Sequence, residues 1–512
     1  MHDAIQARPL DIAVIILYLL GMAALGIWFS RRNTTTEQYF LGGRAFPGWV
    51  IGISMLGTSI SSVTFLAFPA AAFTLDWRQL VSNLMLPFVA VLAIIVFIPF
   101  FRRGNTTSAF EYLGDRFGPG VRLYGTLSFI LLQLIRLGKV LFLVAIPVSL
   151  LTGFDIRLVI VFVGVFISLY TIAGGIGAVI WTDVVQSIVL WVGGIVCFAT
   201  VVWQLPGGVG QIVEVGAQHQ KFAMGSLGFN LNERTFWTVA LIGIVSWLTM
   251  YSSDQNVVQR YLAAKSLKEA RKATTIYSAI AVPTWAFFFL LGTCVYVFYS
   301  IHPDEKVAGL EADAVFPYFI LTQVPVGITG LVIAGVLAAA MSSLDSSINA
   351  ISTVVTVDLM KPYFARNRDD RFYLRWARIV AIAASVLMIL GAILFSSIEK
   401  ESINDLSWIA ASVFGGCLLG LFMTGFFTTR IGNRAALIGL CCAVFLNLYL
   451  GVNSLDWLPD RFSLPVHSYW TGVLVNLAFL LIAGIAALVC GRNRNDLSGL
   501  TVWTLKKKGD AS

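Results

Sequence analysis

Residues 47–74 read PGWVIGISMLGTSISSVTFLAFPAAAFT, an apolar stretch whose two ends suit lipid and whose middle does not. It is longer than the about 20 apolar residues needed to cross hydrocarbon. Gly57, Thr58, Ser59, Ser61, Ser62 and Thr64 fall in its middle, and Pro69 follows. Interrupted backbone at that depth is tolerated only against protein or a water-filled cavity. The stretch predicts a membrane helix broken near its midpoint, with the break turned toward the protein interior.

Composition carries the same reading outward. Charged residues make up 12% of the chain and hydrophobic ones 58%, with a mean hydropathy of +0.82. A soluble domain keeps roughly a quarter of its residues charged. Apolar runs at 10–30, 47–74, 80–101, 123–152, 156–173, 178–204, 236–254, 274–300, 326–358, 376–397, 406–428, 433–452 and 468–490 predict an all-α polytopic membrane protein of about 13 spans. An odd number puts the termini on opposite sides. With the N-terminus outside, 25 of the 35 Lys and Arg face inward, 8 face outward, and Arg136 and Lys139 lie within a span. The positive-inside rule therefore selects this orientation. The inward groups include Arg260, Lys265, Lys268, Arg271 and Lys272, then six basic residues from Lys361 to Arg378, and Lys506 to Lys508. They read as topology and headgroup contact. The run from Leu10 to Trp28 reads as a retained span and not a signal peptide. Connection 205–235 has room for a short helix, and the whole chain, 1–512, reads as one membrane domain.

The net charge of +8 is dispersed, which excludes a nucleic-acid partner. The six cysteines lie in or beside apolar runs with no metal-ligand spacing, and His2, His219, His302 and His467 form no cluster. No nucleophile–base pair or metal cluster shares one depth, so an enzyme is not expected. A channel would need a continuous polar pore in place of a few localised polar sites. No protein partner is implied; the membrane partner is lipid.

A second polar patch, AAAMSSLDSS at 338–347, puts a carboxylate at membrane depth. Sodium, like other hard cations, needs a small cage of oxygens. A broken helix frees carbonyls, and a serine pair supplies hydroxyls. The plain alternative is that these hydroxyls back-bond within their own helices or pack small against small. Arg136, near mid-span, costs about 2.5–3.5 kcal/mol to place there, and its planar fork fits a carboxylate. An ion pair with Asp183 or another carboxylate, or snorkelling, is the structural alternative. Lys139, three residues on, shares its helical face. It either widens the preference toward other acidic sugars, uronates included, or points to water or headgroups.

Four stretches resemble the sodium/solute symporter family in order along the chain: Gly57 to Phe65, GGIGAVIWTDVVQ at 174–186, DQNVVQRYL at 254–262, and Ala338 to Ser347. The likeness is greatest to the bacterial sodium-coupled sialic acid symporters. The resemblance implies an inverted-repeat (5+5) core at 47–428 with a discontinuous first core helix. It adds an N-terminal helix at 10–30, two C-terminal helices at 433–490 and a cytoplasmic tail at 491–512. It implies a main sodium site from Gly57, Ile60, Ala339, Ser342 and Ser343. A second sodium site in some relatives matches Asp183, Ser342, Asp345 and Ser346. The subgroup pattern holds serine where this chain holds Asp345, which leaves open whether the two carboxylates bind a cation more firmly, keep one of them protonated, or leave Asp345 paired with a neighbouring hydroxyl or base. Arg136, Ser59, Ser61, Thr64 and Asn83 match substrate-contacting positions. Trp247 and Tyr251 are gate candidates, with packing as the alternative. The expectation is a Na+-coupled symporter in the bacterial inner (plasma) membrane, importing sialic acid or a related sugar acid by alternating access. The alternative is a neutral sugar, polyol or amino acid, with Arg136 structural.

Overall fold

The structure is a computed structural model and describes residues 8–30, 35–103, 106–228, 233, 235–397, 415–454, 457–464, 466, 470–490 and 496–504. Part of the expected eleventh span (406–414), His2, His467, and tail residues 491–495 and 505–512 with Lys506 to Lys508 lie outside them. In chain order the main helices are α1 (Pro9–Ser30), α2 (Gly48–Ser59), α3 (Val63–Thr74), α4 (Leu80–Arg102), α5 (Ala109–Phe117), α6 (Pro119–Thr152), α7 (Ile156–Gln204), α8 (Gly208–Gln218) and α9 (Phe236–Ser253). They continue with α10 (Gln255–Ala263), α11 (Leu267–Ile301), α12 (Ala312–Gln323), α13 (Ile328–Phe364), α14 (Asp370–Phe395), α15 (Leu418–Phe427), α16 (Asn433–Asn453) and α17 (Thr471–Val489). The all-helical fold class and the short helix α8 in the 205–235 connection are as expected.

Among the described residues ten helices are long and apolar enough to cross a membrane, or up to eleven with α2 and α3 taken as one bent span. The expected count of thirteen is not confirmed. Two causes are visible. Expected spans 156–173 and 178–204 form one 49-residue helix, α7, that is non-helical only at Gly175 (φ 56°, ψ −167°). At about 1.5 Å per residue it is more than twice the hydrocarbon thickness, so it must fold back there. A left-handed φ suits glycine and little else. The eleventh expected span is described only from residue 415.

The predicted break is present. α2 and α3 meet at 61°. Ile60 leaves the helical region (φ −93°, ψ 103°), and the Ser61 hydroxyl accepts from Val63 N at 3.2 Å to start the next helix. A second break, not expected from the sequence, separates α9 from α10. Asp254 adopts φ −78° and ψ 115°, and its carboxylate caps α10 by accepting from Asn256 N at 2.8 Å.

Helix α13 buries almost every residue from Thr329 to Val354, whereas α1 turns Leu10, Leu17 and Leu20 outward, as a lipid-facing helix does. Helices α7 and α13 approach closely at Gly193 and Gly335; a Cβ on Gly335 would lie 3.2 Å from the Val189 carbonyl. Small residues at such crossings let membrane helices pack without a hydrophobic driving force. The start of α13 is held by α1. Asp11, fully buried, accepts from Gly327 N and Gly330 N at 2.7 Å each, capping α13 from another helix. Asp11→Ala should destabilise the protein by about 2–4 kcal/mol, because two buried donors lose a charged acceptor. Asp11→Asn, which retains an acceptor oxygen, should keep most of the stability. Thermal unfolding of the detergent-solubilised variants checks the order.

Candidate functional site

The last turn of any helix carries carbonyls without intrahelical partners. At the end of α2 these turn toward α13 and α6. Ser342 donates to the Gly57 carbonyl at 2.8 Å and to the Ala339 carbonyl at 3.1 Å. Ser343 donates to the Thr58 carbonyl at 3.1 Å, and the Arg136 Nη2 donates to that same carbonyl at 3.0 Å. Ile60, Ala339, Ser342 and Ser343 are each about 1% exposed. Gly57, Ala339, Ser342 and Ser343 are thus joined where the end of α2 meets the middle of α13, and Ile60 is buried at the break itself. The donor set is oxygen only and uncharged, which suits a hard monovalent cation. The break is fastened to α6 as well, since Ser62 donates to the Val140 carbonyl at 3.2 Å.

The four residues of the second expected site also converge, around a residue the sequence reading misplaced. Arg260 was assigned to an inward-facing surface group. It is instead 1% exposed, on α10. Its Nη2 lies 2.7 Å from Asp183 Oδ2 and 2.8 Å from Ser346 Oγ, and its Nε donates to Ser54 Oγ at 2.9 Å. A guanidinium buried this deeply needs a paired carboxylate. The available signal was periodicity: residues 254–263 contain no Pro or Gly, so Arg260 continues a helix. Thr58 and Ser54, also missed, close the same cluster. Thr58 Oγ1 lies 3.0 Å from Ser346 Oγ, and Ser54 donates to Asp183 Oδ2 at 2.5 Å. Tyr170 donates to Asp345 Oδ2 at 3.1 Å. Gln259, next to Arg260, reaches the Phe40 carbonyl and Asn349. These contacts tie α10 to α2, α7 and α13 on the side of the basic connections.

On the other side of the break, a cavity of about 170 Å³ is lined by Ser61, Arg136 and Lys139 together with Val63, Leu132, Ile135 and Val140. Arg136 and Ser61 thus line one cavity. Among the described residues the ion pair of Asp183 is with Arg260, not Arg136. The remaining substrate positions do not line this cavity. Ser59 donates to the Met55 carbonyl and accepts from Tyr277 at 2.8 Å, Thr64 is buried, and Asn83 lies in α4. Trp247 donates to the Ser82 carbonyl at 2.9 Å and packs on Trp285. The buried Tyr251 ring meets Tyr277 edge-on, and its hydroxyl has no hydrogen-bond partner among the described residues.

Two broken helices, oxygens gathered at the first break and a cation-lined cavity beside it define a secondary transporter of the membrane. The chain matches the Sodium:solute symporter family over residues 39–442 and belongs to that family of transporters. It is 31% identical to the sodium/sialic acid symporter SiaT of Proteus mirabilis (strain HI4320), over 93% of this chain and 95% of that protein. It is 29% identical to the sodium/sialic acid symporter NanT of Aliivibrio fischeri (strain ATCC 700601 / ES114), over 96% of each. A solved structure of a Na+-coupled sialic acid symporter, in a substrate-bound outward-open state, superposes with a TM-score of 0.84 at 29% identity, covering 94% of this chain and 98% of that one. The expected family and fold are therefore correct.

Removing one partner of a buried ion pair leaves a bare charge. Arg260→Met should destabilise the protein by about 3–5 kcal/mol. Adding Asp183→Asn in the same chain should recover a substantial part of that loss. Thermal unfolding of the two single variants and the double variant measures the coupling.

Proposed function

We propose that this chain imports a small carboxylated solute with sodium across a bacterial inner membrane, with sialic acid or a related sugar acid as the first cargo to test. The observation that carries the reading is Arg136, held against the break by the Thr58 carbonyl that also takes Ser343, while lining the cavity beside Ser61. The relatives named for sialic acid support the cargo. In this reading sodium is held by the carbonyls of Gly57, Ile60 and Ala339 and the hydroxyls of Ser342 and Ser343. The cargo carboxylate lies on Arg136 beside Ser61, with Ser59, Thr64 and Asn83, which stand outside the 170 Å³ cavity, as the remaining expected contacts and Trp247 and Tyr251 as the gate. The N-terminus is outside and the tail from 491 is cytoplasmic. Residues 47–428 form the inverted-repeat core, with 10–30 and 433–490 flanking it. Ion and cargo then share one break, which supplies the mutual rise in affinity that coupling requires.

Asp183, Asp345, Ser342 and Ser346 form the second sodium site of the proposal. Asp183 is paired with Arg260 and Asp345 accepts from Tyr170, so Asp345 is the carboxylate left for one further monovalent cation in this reading. A monoanion moving with one sodium carries no net charge. With two, each 100 mV contributes about 2.3 kcal/mol, or about fiftyfold in accumulation. Two-sodium coupling therefore predicts an inward current when N-acetylneuraminate is added to proteoliposomes in NaCl; uptake without current reduces the count to one.

One observation favours the rival reading, a neutral solute. Arg136 already has a structural partner in the Thr58 carbonyl. Arg136→Ala decides between them. The acid reading expects uptake of N-acetylneuraminate to fall by about tenfold or more, the worth of a charge-assisted hydrogen bond. The neutral reading expects uptake to persist in folded protein. Equal accumulation in potassium or choline medium would remove sodium from the scheme altogether.

A further inference from the structure

Lys139 lies three residues beyond Arg136 on α6, on the same cavity wall. Positions three apart on a helix sit about 5–6 Å apart at Cβ, and here they are offset by about 4.5 Å along the axis. Helix α6 leaves the basic connections at Pro119, so Lys139 is the outer cation of the pair and Arg136 the inner one. Both line a single cavity of about 170 Å³, and no lining residue is a carboxylate. Their counter-charges sit on other helices: Asp254 at the α9–α10 break acts on Arg136, and Asp313 on α12 acts on Lys139. The cavity wall thus presents two cationic side chains, one turn apart, with the acids outside its lining. The rest of the lining is Leu132, Ile135 and Val140 of α6 with Ser61 and Val63 from the break.

A single carboxylate gripped by Arg136 leaves Lys139 facing whatever the cargo carries one helical turn further out. From this pairing we propose that Lys139 is a specificity-determining residue and that the preferred cargo is a compact sugar dicarboxylate, its inner carboxylate on Arg136 and its outer one on Lys139. The inference rests on the acid reading above. The cavity's modest size points to a compact cargo, and its paired cations to one with two charged ends.

The test uses the purified full-length protein in NaCl, with D-glucarate and D-glucuronate as probes. They share six gluco-configured carbons, and glucarate carries a second carboxylate where glucuronate closes a hemiacetal ring. Binding is followed by the shift in thermal unfolding across a titration of each. Wild type should bind glucarate more tightly than glucuronate by about tenfold or more, the worth of one further charge-assisted contact. Lys139→Leu should erase that ratio while leaving glucuronate affinity within about threefold, since the standing contact to Arg136 is untouched. Lys139→Arg, which keeps a cation, should restore the preference. Sodium-induced stabilisation of Lys139→Leu serves as the folding control. A wild type that does not prefer the dianion, or a Lys139→Leu variant that loses both probes equally or neither, overturns the proposal and leaves the acid reading standing. If wild type binds neither acid, nor N-acetylneuraminate, both readings fall together.

Discussion

The interruption of one helix at Ile60 is the constraint on which the site depends. A continuous helix through residues 47–74 would close its carbonyls on its own N–H groups and offer nothing to an ion or a side chain. Because the helix stops at Ser59, the Gly57 and Thr58 carbonyls turn sideways. Thr58 becomes the point at which α13, through Ser343, and α6, through Arg136, meet α2. In hydrocarbon an unpartnered carbonyl is costly, so the break persists only because neighbouring helices supply donors. The same need couples the neighbours: whatever changes the donors at Thr58 acts on Ser343 of α13 and Arg136 of α6 together.

Below the break, the buried pair of Arg260 and Asp183 performs a second task. It joins α10, which follows the other broken helix, to α7, and through Ser54 and Ser346 to α2 and α13. Four helices are held by one guanidinium that has little solvent to fall back on. Such a closure is firm while every partner is present and costly when one is missing. The packing around it is correspondingly tight, with α7 and α13 brought together at Gly193 and Gly335. Arg136 and Arg260 both reach the end of α2, one at the Thr58 carbonyl and the other at Ser54.

Much of this was legible before any coordinates. The polar centre of residues 47–74 announced the break, and the serine pair with Asp345 announced a buried polar level on α13. Arg136 was visible as a mid-span charge needing a reason. What could not be read was pairing. Arg260 looked like one of several basic residues at a membrane face, because charge along a sequence does not say which way a helix turns it. Asp183 looked available to Arg136 until a closer guanidinium took it. The break at Asp254 was missed because Ser252, Ser253 and Asp254 resemble an ordinary span end followed by a loop. The span count suffered from the opposite error: α7 runs two spans together with a single glycine between them.

Sequence alone determined that this is a helical membrane protein, that one helix is discontinuous, and which residue types stand near the break. Those properties depend on local hydropathy and on backbone chemistry that each segment carries with it. Tertiary structure alone decided which carboxylate meets which cation, which hydroxyls face the freed carbonyls, and that Arg136 and Lys139 share a cavity. These outcomes depend on the rotation and depth of helices hundreds of residues apart. In lipid, rotation and depth are set by packing between small residues and by buried polar contacts, and neither leaves a periodic trace in the chain.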